Sequence, residues 1–65
     1  MVQVSVAIDG KIESTKISED TYECLQDGAL LRNKPLEEIL ARIVNEYGAL
    51  TEANILEYMD EKWVI

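Results

Sequence analysis

At 65 residues the chain has room for one domain spanning 1–65. With a single cysteine, Cys24, and no histidine, an internal disulfide and the usual zinc-ligand sets are excluded. Apolar residues make up 48% of the chain, against a disordered composition, and a net charge of −7 disfavours nucleic acid and anionic membranes as partners; it either favours basic proteins or serves to keep a small protein in solution.

Val2, Val4, Val6 and Ile8 alternate with Gln3, Ser5 and Ala7, a period of two in β-branched residues that predicts a strand. Asp9-Gly10 follows and signals a hairpin, because glycine accepts a positive φ at no steric cost. A second strand is predicted over Ile12 to Ile17, so 1–17 reads as a hairpin or ribbon. The loop closes with two or three residues, and the register stays open between them. The same holds for whether the strands pair within one chain or between two.

Ser18 is a good N-cap, and Glu19 and Asp20 place negative charge at the positive end of a first helix. Tyr22, Leu25 and Ala29 recur at helical spacing, with Cys24 and Leu31 on a flanking line. Cys24 is expected to be a half-buried structural thiol. Gly28 inside this helix costs about 1 kcal/mol relative to alanine; it marks either the close approach of another helix or a tolerated weak spot. Proline suits the first turn of a helix, so a second helix is predicted from near Pro35. Leu36, Ile39, Leu40, Ile43, Val44 and Tyr47 make it strongly amphipathic. Glu38 and Arg42 form an i,i+4 pair on its wet side, and Gly48 is placed for a left-handed cap. The two helices occupy 18–47. Thr51 is positioned to cap a third, within 51–65. Its apolar side carries Ile55, Leu56, Tyr58, Met59 and Trp63, and its acidic side Glu57, Asp60 and Glu61. The fold class is therefore α+β, a short N-terminal β-hairpin followed by three helices. So small a core predicts a homodimer.

From Lys16 to Tyr47 the chain resembles the ribbon-helix-helix (Arc/CopG-type) family. The likeness rests on Ile17 ending a strand, Ser18-Glu19-Asp20 opening a helix with Tyr22, Leu25 and Ala29 along it, a break at Asn33 to Pro35, and Ile39, Leu40, Ile43, Val44 and Tyr47 on the next helix. It implies paired strands from two chains, with Ile12, Ser14 and Lys16 outward toward the DNA major groove and Glu13, Thr15 and Ile17 inward. It also implies phosphate contacts at the start of the second helix, where Arg32 and Lys34 stand. Ser14, Lys16, Arg32 and Lys34 are thus the DNA-binding residues of a repressor reading. The first 25 residues also resemble the opening of a ubiquitin-like β-grasp fold, a likeness that ends at the first helix.

Charge argues against the repressor. Residues 1–47 hold five basic and nine acidic side chains, whereas affinity for DNA comes largely from neutralising phosphates. With no histidine, no glycine-rich phosphate loop and a cysteine beside Glu23, the chain offers no catalytic constellation, so no enzyme activity, metal or cofactor is expected. The leading expectation is a protein-binding module, an inhibitor or antitoxin-like regulator that occupies a basic surface of another protein. Its expected contact residues are Tyr58, Met59, Trp63 and Ile65, with Glu57, Asp60 and Glu61 beside them; packing of this apolar end into the chain's own core is the other reading of the same residues. No apolar run is long enough to span a membrane and the first ten residues lack signal-peptide character, so a cytoplasmic location is expected.

Overall fold

The computed structural model describes residues 1–63. It contains strands β1 (Val2–Ile8) and β2 (Lys11–Ile17) and helices α1 (Glu19–Leu31), α2 (Leu36–Tyr47) and α3 (Glu52–Lys62). The strands pair antiparallel within the chain, Val2 opposite Ile17 through Ile8 opposite Lys11. This resolves the register, since the loop is the two residues Asp9 and Gly10, with φ of 51° and 80°. Two successive positive φ values define the hairpin turn whose twist matches its flanking strands.

The hairpin has one buried face. Val4, Val6 and Ile17 point into the core, while Gln3, Ser5, Ala7, Ile12, Ser14 and Lys16 stand outward and exposed. The inward and outward sets of β2 are those the resemblance implied. Glu13, on the inward side, is only half-buried and so keeps part of its hydration. The order of hairpin, α1 and α2 is compatible with a ribbon-helix-helix-like arrangement, with the ribbon strand paired to β1 of its own chain.

Helix α2 lies at the centre, packed on β1 and against both other helices, while α3 also reaches β2. Its Ile39, Leu40 and Ile43 meet Leu25 and Ala29 of α1, Ile55 and Tyr58 of α3, Leu50 and the hairpin valines in one core.

The helix ends follow local chemistry. Asn33, at φ 54°, takes the left-handed position after α1. The Asn33 N–H donates to the Leu30 carbonyl and the Lys34 N–H to that of Ala29, both at 3.0 Å, which is a Schellman motif with asparagine in the usual glycine place. Pro35 sits one residue before α2 as its N-cap, and Gly48 closes α2 at φ 86°. Thr51 caps α3 by accepting from the Asn54 N–H.

The cap of α1 is completed across the fold. The Ser18 hydroxyl oxygen accepts from the Thr21 N–H, and the Ser18 N–H donates to the Glu52 carboxylate at 2.9 Å. In a capping box that second bond comes from an acidic residue three positions on; here that position is Thr21 and α3 supplies the carboxylate. The hydrogen bond from the Ser18 backbone, then that from Thr21, holds the Glu52 carboxyl below its ordinary value of 4.5. A lowered folded-state pKa contributes stability that is present above the unfolded value and is lost as pH falls through the folded one. Thermal unfolding of wild type and Glu52→Gln between about pH 7 and pH 3 is therefore expected to show the wild-type advantage at neutral pH shrinking below the ordinary glutamate value, with the two curves converging in acid. A constant gap across the range would mean that the carboxylate charge plays no part in the cap.

Candidate functional site

The apolar residues expected to meet a partner are mostly turned inward. Tyr58 is only 6% exposed and belongs to the core. Its ring meets Tyr47 edge-on at 6.3 Å and Trp63 at 5.9 Å. Met59 and Trp63 are half-buried and packed against the same core, and Ile65 lies outside the described residues. Glu57, Asp60 and Glu61 are exposed along α3. The spacing of Tyr58, Met59 and Trp63 correctly marks one helix face. That face packs largely against the core and Gly28 of α1, with Met59 and Trp63 left half-buried. The Tyr47 hydroxyl is buried with no hydrogen-bond partner among the described residues. Burial first, then the negative charges of Glu61, Glu57 and Glu46, push its pKa up.

Gly28 has the first of its two readings. The Trp63 ring packs so closely over it that a methyl group there would overlap the ring carbons. Arg32, one turn on, also packs on this ring. Its guanidinium carbon stands 4.3 Å from the Trp63 ring centroid, and its Nη1 donates to the Gly28 carbonyl at 3.1 Å.

Besides Met1, Ile12 and Leu56, the exposed large apolar residues among those described are two neighbours at the end of α1. Leu30 and Leu31 are 81% and 84% exposed. A shallow groove of about 390 Å³ is lined by Leu30, Leu36 and Ala29 together with Gln26, Asp27 and Lys34. The exposed side of α1 also carries Glu19, Asp20, Glu23 and Asp27, and the helix has no basic residue. Cys24 lies on this face too and is exposed; the half-buried thiol expected from sequence is thus corrected, because the core takes the Leu25 side of the helix. Leu31 was legible only as a residue flanking the apolar stripe, and Leu30 carried no signal beyond lying off it.

The four DNA-binding candidates divide into two places. Ser14 and Lys16 are on the outer face of the hairpin, where Lys16 is paired across the strands with Gln3 and Ser14 with Ser5. Arg32 and Lys34 instead line a cleft of about 370 Å³ at the other junction of the fold, together with Arg42 of α2 and Lys62 of α3. Ile39, Tyr58 and Trp63 form its apolar part, and Glu46 is its single acidic lining residue among the described residues. The Lys34 ammonium is 2.9 Å from the Glu38 carboxylate, with Arg42 at 3.8 Å from the same oxygen. These two cations, Lys34 foremost, hold the Glu38 carboxyl below its ordinary range. Lys62 stands 3.9 Å from Glu46.

Compared with known proteins, the chain matches no family model, no curated protein and no solved structure. Among the described residues, no helix is long and apolar enough to cross a membrane.

Proposed function

We propose that this chain is a non-enzymatic protein-binding module that acts as an inhibitor or antitoxin-like regulator, and that it docks through the exposed face of α1. The observation that carries this reading is the pair Leu30 and Leu31, more than four-fifths exposed at the end of a helix whose charged residues are all acidic. Two adjacent exposed leucines beside an open apolar groove supply area that gains free energy when covered. The carboxylates of Glu19, Asp20, Glu23 and Asp27 select a partner with an apolar projection ringed by lysine or arginine, and they speed its approach. The acidic row Glu57, Asp60 and Glu61 on α3 extends the same preference. In this reading a homodimer forms through the sheet, each strand of a two-stranded sheet keeping one unpaired edge.

The test compares wild type with Leu30→Glu/Leu31→Glu as baits in quantitative affinity capture. The protein retained by wild type is then purified and titrated against both by calorimetry. The double variant is expected to keep its circular dichroism spectrum, because both side chains are outside the core, and to lose affinity by at least about tenfold. Wild-type affinity is expected to fall with salt. Equal affinities for the two proteins would remove α1 as the docking face.

The reading also expects no binding of mixed-sequence duplex DNA at micromolar protein and about 50 mM salt, measured by fluorescence anisotropy. Salt-sensitive binding that Lys16→Ala abolishes would put the repressor reading in its place.

A further inference from the structure

The charge of this protein is unevenly distributed. The chain has six basic and thirteen acidic residues. Four of the six, Arg32, Lys34, Arg42 and Lys62, line one cleft that has a single acidic lining residue among the described residues. The other two, Lys11 and Lys16, are on the hairpin. The sequence separates the four by up to thirty positions, and the packing of α2 between α1 and α3 brings them together. We propose that this cleft is a binding site for a small polyanion, a molecule bearing two or more neighbouring phosphate or carboxylate groups.

Three features support a site rather than a chance cluster. Arg32 is held in place, stacked on the Trp63 ring and tied to the Gly28 carbonyl. One of its five N–H groups is used by that bond, and among the described residues it has no carboxylate partner. A guanidinium fixed in this way loses less freedom on binding an oxyanion and presents its remaining donors as a fork. Second, among the described residues Arg42 and Lys62 make only long ion pairs, at 3.8 and 3.9 Å, and both side chains are about half exposed. Such pairs are weak, so a ligand anion displaces them at little cost. Third, Tyr58, Trp63 and Ile39 back the cations with apolar surface. Low-dielectric walls strengthen the field of the charges they support. The volume, about 370 Å³, is within the range of small-molecule sites.

Charge count sets the ligand class. One negative charge would leave the cluster in excess even with Glu38 and Glu46 in place, whereas a polyanion engages Arg32, Arg42 and Lys62 at once. A long nucleic acid is disfavoured because its further phosphates would run over the acidic surface of α1 and α3.

Trp63 is the only tryptophan and lines the cleft, so its fluorescence reports occupancy. The test titrates the full chain with inorganic pyrophosphate, and separately with citrate, at fixed ionic strength set by sodium chloride. A saturable change in Trp63 emission is expected. Arg42→Gln/Lys62→Gln should weaken it at least about tenfold, as loss of charged hydrogen-bond donors does. The control Lys11→Gln/Lys16→Gln carries the same net charge with the cleft intact and should bind as wild type. A response to pyrophosphate alone identifies a phosphate site, and a response to both anions a broader oxyanion site; either, with the variants behaving as stated, supports the proposal. No saturable response to either anion, or equal weakening in the hairpin control, overturns it.

Discussion

Replacing Ile43 with alanine is expected to leave most of the protein unfolded at 25 °C. Ile43 has no solvent exposure and sits on α2, the one helix that contacts β1, α1 and α3 together. Truncating a fully buried isoleucine costs about 2–5 kcal/mol, from lost transfer free energy and from the cavity left behind. A single core in a chain of this size rarely supplies more than about 3–5 kcal/mol in all. The loss is thus comparable with the whole stability. Urea unfolding followed by circular dichroism checks this. Ile12→Ala, at a residue 76% exposed, is the matched control and should shift stability by no more than about 0.5 kcal/mol. An Ile43→Ala midpoint as close to wild type as that of the control would show that α2 is not the centre of the core.

Gly28→Ala is the second large effect, and its sign is opposite to the usual one. In a helix interior this change ordinarily gains about 1 kcal/mol. Here the new methyl overlaps the Trp63 ring. Either the ring leaves or α1 and α3 separate, and overpacking of this kind costs roughly 1–3 kcal/mol. A displaced Trp63 also loses its edge-on contact with Tyr58 and its place under Arg32. The expected result is a destabilised protein with red-shifted tryptophan emission. A double-mutant cycle sharpens the test. In a Trp63→Ala background nothing opposes the methyl, and Gly28→Ala should become stabilising, a change of sign that measures the coupling directly. If Gly28→Ala stabilised both backgrounds, the close approach of Trp63 to α1 would be wrong.

The two effects also bear on function. Arg32 owes its orientation to Trp63 and Gly28, so Gly28→Ala should disturb the basic cleft as well as the core. The α1 face with Leu30 and Leu31 lies outside that contact. Binding through α1 and anion binding in the cleft are therefore separable by mutation.

Most of the element order is local chemistry, which is why it was legible. Alternating valines, Asp-Gly with two positive φ values, the Ser18 and Thr51 caps and Gly48 after an amphipathic run each act over a few residues, and each is found where the residues placed it. Of the predicted apolar positions, Leu25, Ala29, Ile39, Leu40, Ile43, Ile55 and Tyr58 are buried and Tyr22, Leu36, Val44, Tyr47, Met59 and Trp63 half-buried, since helical spacing defines the face, whereas Leu56 is 48% exposed. Facing partners are a different matter. The sequence shows that Tyr58 and Trp63 share a face but not that the face meets Tyr47 and Gly28 of the same chain. It shows Leu31 beside the stripe but not that the groove edge leaves Leu30 and Leu31 in solvent. Pairing of Ser18 with Glu52 across 34 positions, and the meeting of Arg32, Lys34, Arg42 and Lys62, depend on how α2 seats between its neighbours. By itself the sequence determined the strands, the helices, their caps and their apolar faces, because those follow from backbone preferences and periodicity within one element. Only the tertiary structure decided which faces are spent on the core and which charges converge, because these depend on contacts between residues far apart in the chain.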